Sequence, residues 1–259
     1  MQDYSTITEL PGSCVIPMQV ERAYHRYYFG ALYSQEKDVL EVACGGGQGL
    51  GLLAQFAKHV VGGDIEEKNL SYARQTYANN SKVKVVKLNA HQMEFPDASF
   101  DTIIIYEAIY YLEHFEKFLS EARRLLRKGG NLIICTANKD WPDFNPSPFS
   151  YCYYGVPELN QILNHHHFQV KFYGAFPDIK EGAPSFLKSI LKRIAIKMHL
   201  MPKTMKGKTF LKRLFYGRLI QLPREFTVGM YPYQEPKPLL ESRSDTIHTA
   251  LYVIASKVL

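Results

Sequence analysis

The chain has 259 residues, of which 46% are hydrophobic and 22% are charged, a composition typical of one large globular domain or one domain with an appendage. This composition excludes a disordered, collagen-like or coiled-coil chain. The four well-separated cysteines exclude a disulfide scaffold and favour a reducing cytoplasm. The formal net charge of +6 comes from one segment, because residues 182–224 contain eleven Lys or Arg and no Asp or Glu.

Short apolar runs alternate along the chain with longer runs that carry apolar residues at helical spacing, which is the pattern of an α/β fold. A leader rich in aromatic residues, Pro17–Ser34, predicts a helix. Seven strands are predicted at Asp38–Ala43, His59–Asp64, Val83–Leu88, Thr102–Tyr106, Asn131–Thr136, Gln169–Tyr173 and Thr249–Ala255. We expect the first five strands to run parallel, with helices on both faces of the sheet.

About seventy residues connect the sixth and seventh strands, and a connection of that length needs structure of its own. Apolar residues recur there at helical spacing with basic residues beside them: Phe186, Leu187, Ile190, Leu191, Ile194 and Met198, and Lys188, Lys192, Arg193 and Lys197. This pattern predicts a basic amphipathic lid that binds an anionic membrane, binds substrate or is simply solvated. Nucleic acid is not expected, because the aromatic residues lie on the apolar side of the helix.

The strongest chemical signal is a glycine-rich turn after the first strand, Glu41-Val42-Ala43-Cys44-Gly45-Gly46-Gly47-Gln48-Gly49. Glycine allows positive φ and a close approach of a ligand to the backbone. Asp64 ends the next strand, where a carboxylate can accept hydrogen bonds from ribose hydroxyls. The dinucleotide fingerprint fits only Gly49-x-Gly51-x-x-Ala54, which begins several residues past the strand end. A nicotinamide-dependent oxidoreductase is therefore the weaker alternative.

The turn resembles the signature E/D-x-G/A-C-G-x-G-x-G of the class I S-adenosylmethionine-dependent methyltransferases. The resemblance covers roughly residues 36–175 and continues through Val60–Ile65, Leu88–Pro96, Ser99–Asp101 and Glu121–Gly130. It implies an α/β fold, a Rossmann-like doubly wound sheet of seven strands with the last strand antiparallel. The expected division is an N-terminal cap helix at 1–36, a cofactor-binding core at 37–174, a basic helical lid at 175–247 between strands six and seven, and the final strand at 248–259.

The resemblance also implies S-adenosylmethionine as the cofactor. Asp64 would then hold the ribose hydroxyls, Ile65 would lie on the adenine face, and Ala90 would offer its backbone N–H to the adenine ring. Many relatives carry Asp where this chain has Asn89, whose side-chain carbonyl can also accept from the adenine amino group. The other expected cofactor contacts are Arg26, Glu41, Ala43, Gly45, Gly47, Gly49 and Tyr106.

The methyl acceptor is expected to be a hydroxyl group. After the fourth strand the chain reads Tyr106-Glu107-Ala108-Ile109 and lacks the N/D-P-P-Y/F string with which relatives methylate exocyclic or amide nitrogen. The leader and the stretch around Pro157 resemble methyltransferases of surface-glycan or secondary-metabolite pathways, which implies a small or lipid-linked acceptor such as a sugar. An alcohol must also lose its proton, for which a His or carboxylate is suited. The candidate catalytic residues are His25, Glu107, Tyr110, Tyr111 and His114.

No metal is expected, because the adjacent residues His165, His166 and His167 point in different directions. No transmembrane segment or secretory signal is expected. We therefore expect a cytoplasmic protein, with peripheral contact to anionic membranes through residues 182–224 as a further hypothesis. A non-enzymatic module that docks onto membranes or onto a partner enzyme stays an alternative.

Overall fold

The computed structural model describes residues 8–178 and 218–258. The helices of these residues are α1 (Pro17–Leu32), α2 (Leu50–Phe56), α3 (Glu67–Tyr77), α4 (Phe115–Leu125) and α5 (Val156–His165). The strands are β1 (Cys14–Val15), β2 (Asp38–Val42), β3 (His59–Asp64), β4 (Val83–Lys87), β5 (Phe100–Tyr106), β6 (Leu126–Ala137), β7 (Phe168–Pro177), β8 (Ile220–Gln221), β9 (Lys237–Leu239) and β10 (His248–Lys257). No helix in the described ranges is long and apolar enough to cross a membrane. The basic amphipathic helix expected around 186–198 lies outside the described residues.

Within residues 8–178 and 218–258, eight strands form the main sheet, in the order β4-β3-β2-β5-β6-β10-β7-β9. Neighbouring strands from β4 to β6 run parallel, whereas β10 runs antiparallel to both β6 and β7. The α/β prediction is confirmed, including the antiparallel last strand. The main sheet has one strand more than the seven expected, because the edge strand β9 was not predicted. It has three residues and includes Pro238, so its sequence has no apolar alternation.

Helices cover both faces of the sheet, and each face has its own core. One core joins α4 and α5 to the sheet through buried side chains such as Phe118 and Leu159. The other joins α1, α2 and α3 to the opposite face, with Tyr24 and Leu53 among its buried residues. Because β2, β3 and β5 are parallel, their carboxyl ends lie side by side at one end of the strands, which we call the carboxyl edge of the sheet. Ligands of such sheets bind there.

The aromatic leader folds as α1, two residues shorter than the predicted segment. Pro17 occupies the first turn, where its missing N–H is harmless, and the side chain of Gln19 accepts a hydrogen bond from Ile16 N at 3.2 Å. Near the other end of α1, a Cβ on Gly30 would overlap the hydroxyl of Tyr106 on β5. This close contact presses α1 against the sheet and brings the middle of the helix to the edge where the strands end.

Candidate cofactor site

The glycine turn connects β2 to α2 and is held in an unusual backbone conformation. Ala43, Gly45 and Gly47 have φ values of +59°, +56° and +76°. A residue with a Cβ pays roughly 1–2 kcal/mol there, so Ala43 is a strained position and the glycines are not. A Cβ on Gly47 would also lie 2.7 Å from the Cβ of Ala73 on α3. Only glycine therefore lets α3 pack against the turn.

Asp64 ends β3 beside the turn and organises its backbone. Its Oδ2 accepts a hydrogen bond from Gly45 N at 2.8 Å, and its Oδ1 accepts one from Glu66 N at 2.9 Å. Burial raises the pKa of the Asp64 carboxyl, and the backbone N–H groups of Glu66 and Gly45 oppose this rise. A carboxylate has about four lone-pair sites, so Asp64 can still accept hydrogen bonds from a ligand.

Glu41 lies inside the protein directly before the turn, with 1% of its surface exposed. Its Oε1 accepts a hydrogen bond from the Tyr27 hydroxyl at 2.6 Å, and its buried Oε2 has no hydrogen-bond partner among the described residues. Burial raises the pKa of Glu41 to about 8, and the nearby charge of Asp64 adds to the rise. Tyr27 also covers the turn, because a Cβ on Gly49 would overlap its ring.

A second polar group forms where β5 ends. Glu107 has a φ of +50° and follows β5 directly. Its Oε1 accepts a hydrogen bond from Arg26 Nη1 at 2.8 Å, and its Oε2 accepts one from the Tyr110 hydroxyl at 3.0 Å. Burial and the charge of Glu107 raise the pKa of Tyr110, so its hydroxyl stays protonated and donates. Burial opposes the charge of Arg26, but Glu107 holds the pKa of the guanidinium above its usual value.

The other predicted catalytic residues lie in different surroundings. His25 is 2% exposed and packs between Phe176 and Tyr233, with ring centroids 5.8 and 5.7 Å away. Burial lowers the pKa of His25, so the ring is neutral at pH 7. His114 is exposed at the start of α4, and its ring centroid lies 5.8 Å from that of His91. The structure therefore joins Arg26, Glu107 and Tyr110, while the roles of the two histidines stay predictions.

The residues expected around adenine lie at the ends of β3 and β4. Ile65 and Ala90 are partly exposed, and Asn89 is exposed. Asn89 Oδ1 already accepts a hydrogen bond from His91 N at 3.0 Å, which leaves one lone pair for an adenine amino group. The hydroxyl of Tyr106 lies against Gly30 of α1, and the expected contact of Tyr106 with the cofactor stays a prediction.

Sequence reasoning missed Tyr27 as a site residue, although it noted the aromatic leader. The hydroxyl of Tyr27 reaches Glu41, and its ring lies 5.2 Å from that of Tyr106 and 5.5 Å from that of Phe226. The sequence feature that could have indicated Tyr27 is its position directly after Arg26, in the part of α1 that contacts the glycine turn. Among the described residues, no group of three His, Cys, Asp or Glu is arranged to hold a metal ion.

A family model described as a methyltransferase domain matches residues 40–134, which include the glycine turn, Asp64 and Glu107. The matched domain belongs to the S-adenosylmethionine-dependent methyltransferases. A probable S-adenosylmethionine-dependent methyltransferase of Mycolicibacterium smegmatis is 32% identical over 150 residues, covering 54% of this chain and 56% of the relative. A fatty-acid O-methyltransferase of the same organism is 29% identical over 131 residues, or 47% of each chain. The family prediction is confirmed, and S-adenosylmethionine is the cofactor of this methyltransferase domain.

The methyltransferase domain is similar to solved structures in fold. A SAM-dependent methyltransferase from Archaeoglobus fulgidus superposes with a TM-score of 0.57 at 18% identity, and the match covers 92% of this chain and 94% of that one. At this identity the likeness concerns the fold alone. The chain spans about half the length of the curated relatives it matches, 56% of the first and 47% of the second.

The residues of the methyltransferase domain fit its cofactor. Asp64 keeps lone pairs at the position where ribose hydroxyls can donate. Glu41 Oε2 is buried and has no hydrogen-bond partner among the described residues. A cationic ammonium bound next to the turn would favour the ionised form of Glu41, whose Oε2 could then accept from it. A buried oxygen of this kind is normally satisfied by hydrogen bonding, so the acceptors Asp64 and Glu41 match the hydroxyl and ammonium donors of S-adenosylmethionine.

Proposed function

We propose that this protein is a methyltransferase that transfers the methyl group of S-adenosylmethionine to a hydroxyl of a small or lipid-linked molecule, such as a sugar or a secondary metabolite. The observation that carries the proposal is the position of Glu107 at the same sheet edge as Asp64, within the matched domain. The cofactor would lie along the turn, and the acceptor would lie next to Glu107. The acceptor must approach the carboxyl ends of the strands, where open sheets bind their ligands.

The geometry of the turn supports the following proposed cofactor contacts. Asp64 accepts from the two ribose hydroxyls, and Ile65, Asn89 and Ala90 surround the adenine. The methionine part of the cofactor lies near the buried oxygen of Glu41. There the guanidinium of Arg26 can pair with the carboxylate of the cofactor. The backbone of Ala43, Gly45, Gly47 and Gly49 completes this surface, and Tyr106 supports it from beneath α1.

The chemistry requires alignment and one proton transfer. S-adenosylmethionine supplies an activated methyl group, which the acceptor oxygen attacks while the carbon–sulfur bond breaks to give S-adenosylhomocysteine. Glu107 is 28% exposed and takes the proton from the acceptor hydroxyl, while the Tyr110 hydroxyl and Arg26 hold its carboxylate in place. Proximity between the acceptor and the methyl group contributes most of the rate, up to about 7–11 kcal/mol in well-aligned cases.

Replacing Glu107 by Gln tests the role of the carboxylate. Because the amide cannot take a proton, we expect kcat/KM to fall by about 10²–10⁴-fold while affinity for S-adenosylhomocysteine changes less than threefold. The acceptor is first identified in extracts of cells with and without the gene, by a mass gain of one methylene. Glu113→Gln is the matched control, since Glu113 is also a glutamate, is exposed and has no proposed role in the site. If His25→Gln abolishes turnover and E107Q does not, His25 is the base and this assignment is wrong.

We also propose that residues 182–224 bring the enzyme to an anionic membrane, where a lipid-linked acceptor would be found. The support is the sequence, with eleven basic and no acidic residues in this stretch, because each Lys or Arg near such a surface contributes about 1 kcal/mol. In flotation assays, vesicles containing phosphatidylglycerol should carry the protein upward at low salt and lose it as salt increases. Equal behaviour with pure phosphatidylcholine vesicles would exclude the membrane role.

A further inference from the structure

Two segments outside the matched domain lie over the glycine turn, residues 8–15 and residues 220–226, and together we call them the clasp. They are joined through β1 and β8, where Cys14 is opposite Gln221 in an antiparallel pair. Next to this pair, Gly12 N donates to Leu222 O and Leu222 N donates to Ser13 O, each at 2.9 Å. The first segment precedes α1 and the second lies more than 200 residues later in the sequence, so only the folded chain brings them together.

The first segment of the clasp packs directly on the outer surface of the turn. A Cβ built on Gly45 would lie 3.2 Å from Thr8 Cγ2, and one built on Gly46 would lie 2.8 Å from Pro11 Cδ. The Thr8 hydroxyl accepts a hydrogen bond from Asn69 Nδ2 at 3.4 Å, and the same amide lies 3.5 Å from Asp64 Oδ1. No ligand atom fits between surfaces this close, so the segment occupies space that a ligand on the turn needs.

Both segments of the clasp are anchored on Gln48 of the turn. Its Nε2 donates to Glu9 O at 3.1 Å, and its backbone oxygen accepts from Phe226 N at 2.7 Å. Phe226 is 1% exposed and packs against Tyr27, the residue that contacts Glu41. The two segments of the clasp therefore contact the same turn from two sides. Through Phe226 and Tyr27, the clasp also contacts the residues proposed to bind the cofactor.

We propose that the clasp gates the cofactor site: it opens before S-adenosylmethionine reaches the turn and before S-adenosylhomocysteine leaves it. The pairing of β1 with β8 then sets the rate of cofactor exchange. A ribbon of two-residue strands is marginally stable by itself, so it can open without unfolding the main sheet. The inference rests on the cofactor site proposed above and adds a step that residues 40–134 alone do not contain.

The first test locks the clasp with Gln221→Cys, which places a thiol opposite the native Cys14. Both positions are exposed, and directly opposed residues of antiparallel strands have Cα atoms about 4.5–5.5 Å apart, within the range of a disulfide. The exposed Cys152 is replaced by Ser in every protein compared, so that it cannot form a competing bond. In stopped-flow measurements with S-adenosylhomocysteine, the oxidised protein should bind at least tenfold more slowly than its reduced form, and reductant should restore the rate.

The second test loosens the clasp with Gly12→Ala. Gly12 has a φ of +84°, and no atom of the described residues lies within 4 Å of the position of its Cβ, so the substitution strains the backbone. An Ala with a left-handed backbone is strained, which destabilises the closed clasp. We therefore expect exchange of S-adenosylhomocysteine to become about fivefold faster, which is equivalent to about 1 kcal/mol. Gly129→Ala is the matched control. Gly129 has a φ of +72° and equally open surroundings among the described residues, but it lies near the start of β6, at the end of the strands opposite to the cofactor site.

The outcomes separate the inference from the proposed function. Slower binding in the oxidised Q221C protein, together with faster exchange in G12A but not in G129A, supports the gate. An oxidised protein that binds and releases at the rate of its reduced form overturns it, even if cofactor affinity is high. Reduced protein that does not bind S-adenosylhomocysteine at all overturns both the gate and the proposed cofactor site.

Discussion

Replacing Asp64 by Asn is expected to weaken the binding of S-adenosylhomocysteine by at least about 100-fold. Each hydrogen bond from a ribose hydroxyl to a charged acceptor contributes roughly 1.5–3 kcal/mol, and every 1.4 kcal/mol is tenfold in affinity. The Asn amide group also donates where Asp64 Oδ2 accepts from Gly45 N, which places two donors face to face. Isothermal titration calorimetry measures the loss directly, at a temperature where both proteins are folded.

The control for Asp64 is Asp38→Asn, at the beginning of β2. Asp38 is also a strand-end carboxylate, and it accepts hydrogen bonds from Arg127 Nη1 at 2.9 Å at the opposite edge of the sheet. We expect D38N to bind S-adenosylhomocysteine with unchanged affinity, and its stability to fall by no more than about 1 kcal/mol, as for a partly exposed ion pair. Equal losses in D64N and D38N would mean that the effect of Asp64 is a general loss of stability. Stabilisation by NAD but not by S-adenosylhomocysteine would favour the oxidoreductase alternative.

The main sheet and the glycine turn could be predicted because their signals are local. Strands such as β3 and β5 contain consecutive apolar residues and are buried along most of their length. The turn between β2 and α2 needs glycine for steric reasons that hold in any context. Asp64 could be assigned because parallel neighbouring strands end at the same edge. These features depend on residues close in sequence, and the structure has them within a few residues of the predicted bounds.

Contacts between distant elements could not be predicted in the same way. The structure pairs Arg26 with Glu107, 81 residues away, and the expected contact of Arg26 with the cofactor stays a prediction. The packing of Gly30 against Tyr106 sets which side of α1 faces Glu41. The spacing of apolar residues in the sequence does not predict that orientation. The clasp is hidden for a further reason: β1 and β8 have two residues each, too short to show any periodicity.

Replacing Glu41 by Gln is expected to stabilise the free protein at alkaline pH while weakening cofactor binding. The folded pKa of Glu41 is about 8, above its ordinary value of 4.5, because burial disfavours the ionised form. An acid with a raised folded pKa contributes its full stability below pH 4.5, and that contribution is lost progressively as the pH rises toward 8. At about 1.4 kcal/mol per pKa unit, the rise from 4.5 to about 8 corresponds to a loss on the order of 5 kcal/mol. Gln is neutral at every pH and avoids it.

Chemical denaturation at pH 5 and at pH 8 tests the first half of this expectation. Wild-type protein should lose stability between the two values, and the E41Q profile should be flatter. Tyr27→Phe is a second variant, which removes the hydroxyl that donates to Glu41 Oε1. The second half is tested by titration with S-adenosylhomocysteine at pH 8, where E41Q should bind at least tenfold more weakly. The expected combination is higher stability and weaker cofactor binding in E41Q. If Glu41 only stabilised the fold, its replacement would lower stability and leave affinity for S-adenosylhomocysteine unchanged. An E41Q protein that is both less stable at pH 8 and unaltered in affinity would therefore contradict the assignment of Glu41 to the cofactor site.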